Sequence, residues 1–128
     1  MRVLLDSHAF LWAATEDDRL PGAARDLIAD VRTKVVVSVV TTWELTLKVL
    51  AGKLGLPAPP AEHFADHIDE FSYELLPVHQ RHVAALPELP AIHRDPFDRM
   101  LVAQALVEDL DLVSGDARIR RYPIRTIW

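Results

Sequence analysis

Two short runs of wholly apolar residues, Val3-Leu4-Leu5 and Val35-Val36-Val37, constrain the fold most. A strand with water on one face alternates apolar and polar residues. An unbroken apolar run fits a strand covered on both faces, as in a parallel sheet. Parallel neighbours need long crossovers, usually helices, and the chain between the runs supplies them. Ala9 to Ala14 read as a short helix carrying Phe10, Leu11 and Trp12. Pro21 opens a second through about Val31, with Ala24, Leu27, Ile28 and Val31 on one side. After Ser38 a third runs to about Ala51; Trp43, Leu47 and Leu50 are spaced for one buried stripe, and Gly52 is placed to end it.

The rest of the chain continues the alternation. Glu62 to Phe71 read as a helix, Tyr73 to Leu76 as a strand, His79 to Leu86 as a short helix and Pro96 to about Glu108 as a longer one. Leu112-Val113 and Ile124 to Ile127 read as the last strands. This order predicts one α/β domain over residues 1–128, with a mostly parallel sheet of four to five strands and helices on both faces. No apolar run approaches the ~20 residues of a membrane span, and with a strand-like run at the start no signal peptide is visible. Cysteine is absent, which excludes thiolate metal sites and fits a reducing cytoplasm. A net charge of −5 argues against whole-surface attraction to nucleic acid and leaves local attraction open.

The most informative stretch is His93-Arg94-Asp95-Pro96-Phe97-Asp98-Arg99, which leads directly into an apolar helix pattern. Proline suits the first helical position, where its missing N–H would lack a partner anyway. Asp95 is then the N-cap and Asp98 lies at N3, both near the positive end of the helix dipole. By itself this is a helix start. It gains weight from other lone acids in equivalent places. Ligands of open α/β sheets bind outside the carboxyl ends of the strands, where Asp6 leaves the first strand and Asp116 follows the fourth. Glu44 lies early in the helix after the second strand. Each has an ordinary alternative: Asp6 as a cap, Glu44 paired with Thr41 or Lys48, Asp116 in a Gly-Asp turn. Together they imply a common site. Two carboxylates about 4 Å apart repel by roughly 4 kcal/mol at an effective dielectric of about 20, and the remedies are a proton, an arginine or a divalent cation. Oxygen ligands without cysteine point to Mg²⁺ or Mn²⁺.

These residues carry a family likeness. The chain resembles the PIN-domain ribonucleases, and within them the VapC-type toxins of bacterial toxin–antitoxin pairs. The likeness runs through Leu4 to Trp12, Ser38 with Trp43-Glu44, Lys48 and Gly52-Lys53-Leu54, His93 to Arg99, and Ser114-Gly115-Asp116. Tyr122-Pro123-Ile124 and Trp128 fit less specifically. The resemblance implies a PIN-like α/β/α sandwich and hydrolysis of RNA phosphodiesters with Mg²⁺ or Mn²⁺. Asp6 and Asp98 would hold the principal ion, with Glu44 and Asp116 assisting. Asp95 would be accessory, and Ser7, Ser38 and Thr42 would orient carboxylates or waters. Arg94, Arg99 and Arg118 would meet RNA phosphates or an acidic segment of a VapB-like antitoxin. A homodimer is also expected, with the alanine-rich helix of Ala24, Leu27 and Ile28 as its candidate surface.

Some residues invite other readings. His63 and His67 have metal-ligand spacing but sit in an amphipathic surface helix, and His79 and His82 read the same way. His8 and His93 lie near the acids and could touch substrate, although neutral roles suffice. Phe10, Trp12 and Trp43 could stack RNA bases, but their spacing beside apolar partners reads as core. Two rival functions remain, a receiver-type phosphoacceptor domain and a non-catalytic PIN-like module binding RNA or protein. The first would need an acidic pair after the first strand and a late lysine. This chain has Asp6 alone there and no lysine after Lys53.

Overall fold

The computed structural model describes residues 1–128. Five strands form one sheet: β1 (Arg2–Leu5), β2 (Lys34–Ser38), β3 (Glu74–Leu76), β4 (Asp111–Val113) and β5 (Thr126–Ile127). Six helices join them: α1 (Ser7–Ala14), α2 (Gly22–Ala29), α3 (Val39–Leu50), α4 (Pro60–Glu70), α5 (Gln80–Ala85) and α6 (Pro96–Glu108). Short 3₁₀ turns at Leu86–Glu88 and Ile119–Arg121 have no counterpart in the sequence reading. The strand order is β3-β2-β1-β4-β5 and every pairing is parallel.

The side-chain period of two divides the apolar strands between two cores. Leu4, Val36 and Leu112 point to one face, where α5 and α6 pack with Leu101, Val102 and Ala105. Val3, Leu5, Val35, Val37 and Val113 point to the other, against Ala9, Phe10, Ala24, Phe64 and Ile68 of α1, α2 and α4. The unbroken runs therefore mean what they do in any sheet buried on both faces. No helix is long and apolar enough to cross a membrane.

Helix α3 departs from expectation. Trp43 is 57% exposed, Leu47 42% and Leu50 77%, so the stripe read as buried faces outward. The buried side is Val40, Thr41 and Leu45, and α3 contributes Val40 to one core and Leu45 to the other. Its end is as read: Gly52 takes φ +73°, and the N–H groups of Gly52 and Lys53 bond the carbonyls of Val49 and Lys48. The second helix is not an open dimer surface either, since Ala24 is fully buried and Leu27 and Ile28 pack on the core.

The strand order reverses between β1 and β4, so the crevice of this sheet opens at their carboxyl ends. Helix α6 runs back toward the start of β4, which sets its N-terminus at the same edge. Asp95 caps it: Oδ1 accepts from Phe97 N–H at 2.8 Å and Asp98 N–H at 3.1 Å, with Pro96 at the first helical position. Asp95→Ala is expected to cost about 1 kcal/mol in chemical denaturation. Asp95→Asn, which keeps an acceptor oxygen, should cost little.

Candidate active site

The site gathers at that edge. Asp6, 6% exposed, caps α1 by accepting Ala9 N–H at 2.8 Å, so its reading as a cap holds alongside its place at the strand exit. The hydroxyl of Ser7 donates to Glu44 Oε1 and ties the first turn of α1 to the second of α3. Trp43 meets Phe97 edge to face at 4.8 Å and 74°, fastening α3 to α6 one residue away from Glu44 and Asp98. Asp116 lies past β4, where Ser114 Oγ accepts its N–H at 3.1 Å and its own Oδ1 accepts Arg118 N–H at 2.7 Å.

The centre of the arrangement is His93, which the sequence sets near the acids as a candidate substrate contact and does not count among their partners. Its Nε2 lies 3.0 Å from Asp98 Oδ2 and 3.3 Å from Asp116 Oδ2. Its Nδ1 accepts the N–H of Asp95 at 3.1 Å. A nitrogen that accepts carries no proton, so the hydrogen of the neutral ring sits on Nε2 and points at both carboxylates. The backbone N–H of His93 in turn donates to the hydroxyl of buried Tyr122 at 2.8 Å, which gives the Tyr122-Pro123 segment a physical role. The position of His93, two residues ahead of an acidic cap, was the one available signal.

Ligand atoms of His93, Asp98 and Asp116 all lie within 4.8 Å of one another. Asp6 and Asp116 line one cavity, and the charges of Glu44, Asp95 and Asp116 all act on Asp98. No lysine or arginine forms an ion pair with Asp6, Glu44, Asp98 or Asp116. Burial, and then the neighbouring carboxylates, push Asp98 up to about 7. Burial also raises Asp6, against the lowering effect of Ser114 and the Ala9 N–H. Burial pushes Asp116 the same way, but the N–H groups of Arg118 and Ile119 and the His93 ring together hold it below the usual range. Below about pH 7 Asp98 thus tends to keep a proton that its neighbour Asp116 gives up. A partly buried, oxygen-rich set with excess negative charge and one imidazole is suited to a divalent cation.

Several other residues named from the sequence are engaged away from the acids. Ser38 caps α3 and donates to Gln104 Oε1 at 2.5 Å, and Thr42 bonds back to the carbonyl of Val39 at 3.0 Å; neither orients a carboxylate. Arg99 spends its guanidinium on the carbonyls of Pro90 and Leu86 and on the Tyr122 hydroxyl, so it braces the loop before α6. Arg94 and Arg118 remain exposed with no ion-pair partner. Of the aromatic residues read as core, Phe10 is buried, Trp12 is partly buried and Trp43 is exposed.

Asp98 sets a pH dependence for the metal-free protein. Its folded value of about 7 exceeds its ordinary 3.8, so between those values the folded chain holds a proton that the unfolded chain releases. Stability at this group therefore falls as pH rises from about 4 to about 7 and then levels. At about 1.4 kcal/mol per unit the loss is a few kcal/mol. Urea unfolding in a chelator across that range should show the slope in the native chain and its reduction in Asp98→Asn.

Comparison with known proteins agrees with the fold. Residues 3–125 match the PIN domain family. Ribonuclease VapC22 of Mycobacterium tuberculosis (strain ATCC 25618 / H37Rv) is 29% identical over 133 residues, covering 98% of each chain. A chain in the crystal structure of VapBC2 from Rickettsia felis bound to a DNA fragment from their promoter shares the fold. Its TM-score is 0.74 at 15% identity, over 100% of this chain and 99% of that one. With a family match spanning nearly its full length, the chain belongs to the PIN-domain family.

Proposed function

We propose that this chain is a divalent-metal-dependent endoribonuclease that acts in the cytoplasm as the toxin of a toxin–antitoxin pair. The observation that carries the reading is the convergence of Asp98 and Asp116 on His93, at a sheet edge where Asp6 and Glu44 also stand without basic partners. The resemblance to a ribonuclease along the whole chain supports the substrate class. The sheet order also counts against a receiver domain, whose strands run 2-1-3-4-5.

Asp6 and Asp98 would hold the principal ion, with Glu44 and Asp116 completing the site. When bound, Mg²⁺ or Mn²⁺ supplies an acidified water and stabilises the oxygens of an in-line phosphoryl displacement. The chain's own residues prepare the place. Ser7 fixes Glu44, the Asp95 N–H fixes the His93 tautomer, and Tyr122 fixes the loop that carries His93. Arg94 and Arg118 are exposed beside the acids and suit flanking phosphates or an acidic segment of a VapB-like antitoxin. Asp6→Asn or Asp98→Asn is expected to abolish Mg²⁺-dependent RNA cleavage while circular dichroism stays native. Full cleavage by either variant would refute the metal assignment.

The same reading includes a homodimer, moved from α2 to α3. Val39, Trp43, Leu47 and Leu50 present an exposed apolar stripe along one helix. Light scattering at micromolar concentration should give twice the chain mass for the native protein and the single mass for Leu47→Lys.

A further inference from the structure

A cavity of about 480 Å³ opens beside the acids, lined by Asp6, His8, Trp12, Arg19, Gly115, Asp116 and Trp128. Two of its residues belong to the candidate metal site and four others carry planar groups. The ring of His8 stacks on Trp12 at 5.1 Å and 13°, and the Arg19 guanidinium lies 4.7 Å from the Trp12 centroid. Trp128 stands 5.9 Å from Trp12, tilted by 46°. Asp17 grips Arg19 through both carboxylate oxygens, at 2.7 to 3.2 Å, and holds the guanidinium over the indole.

Trp128 reaches this wall because Gly115 lacks a side chain. A Cβ there would fall 2.4 Å from the indole. The residue next to Asp116 is thus kept bare, and the space it leaves is filled by an aromatic ring. Trp12 and Trp128 are only partly buried, and His8 is exposed. These rings face a solvent-accessible cavity at the acids, whereas core aromatics such as Phe10 are enclosed.

From this arrangement we propose that the cavity is a nucleobase-binding subsite. It would take an unpaired base of single-stranded RNA against the Trp12–His8–Trp128 wall, beside the phosphate presented to the acids. A base offers the flat π face that aromatic and guanidinium planes accept, and such stacking is tolerant of sequence. The inference rests on the ribonuclease reading for its ligand, but its test does not depend on cleavage.

Binding is measured with Asp98→Asn protein in Mg²⁺ by tryptophan quenching and by anisotropy. The probes are a single-stranded RNA oligomer and an abasic ribose-phosphate oligomer of equal length. Trp128→Ala should weaken RNA binding about five- to one-hundred-fold. His8→Ala, at an exposed position where folding is not at risk, should weaken it in the same direction, and Gly115→Ala should mimic Trp128→Ala by expelling the ring. Affinity for the abasic oligomer should be unchanged by all three. Equal binding of the two oligomers by the parent protein would overturn the subsite, as would native RNA affinity in both Trp128→Ala and His8→Ala, which would leave the wall to protein contact. In otherwise native protein, Trp128→Ala should raise KM for RNA more than it lowers kcat. Base-dependent binding without any cleavage in Mg²⁺ or Mn²⁺ would sink the ribonuclease reading and leave the subsite standing.

Discussion

Carboxylates forced together at the end of a buried sheet set the terms for the rest of the structure. A parallel sheet covered on both faces has its open crevice where the strand order reverses, here between β1 and β4. Acids placed there are partly desolvated and near one another, and each effect disfavours their ionised forms. The chain answers with hydrogen-bond donors in place of basic side chains. Asp6 receives an amide from its own helix, Glu44 a hydroxyl from Ser7, and Asp98 and Asp116 share one imidazole N–H. These bonds fix the oxygens without cancelling their charge, which is what a site needs if a cation is to supply the remaining compensation.

The segment before α6 shows how closely scaffold and chemistry are joined. Asp95 accepts two amides as a cap, and its own N–H fixes the tautomer of His93. Arg99, three residues into the helix, reaches back to the loop carbonyls and to the Tyr122 hydroxyl that anchors the His93 backbone. A residue that starts the helix therefore also determines which ring nitrogen faces the acids. Capping and site building meet in one residue here: the Asp95 side chain holds the helix start, and its backbone N–H holds the His93 ring.

Much of this was legible in the sequence. The apolar runs Val3–Leu5 and Val35–Val37 declared a sheet buried on both faces, and Asp95-Pro96 declared the start of α6. Helix α3 was misread because periodicity reports an apolar stripe without saying what it faces: Trp43, Leu47 and Leu50 keep the spacing of a core face and lie on the surface. The hydroxyls divided by context that composition does not encode. Ser7 meets a carboxylate, whereas Ser38 meets Gln104, 66 residues away. His93 reads only as a neighbour of the acids, because the fact that matters, two acids converging on one nitrogen, depends on Asp116 arriving from another part of the sheet. Local sequence could place the cap; only the fold could place its partners.

The seating of Trp128 against Gly115 has a practical corollary. All strands run the same way, so the chain enters the sheet at the edge remote from the acids and finishes β5 at the edge that bears them. Residues joined after Trp128, such as a purification tag, would emerge beside the cavity and compete with whatever enters it. An extension ahead of Met1 would leave from the far side.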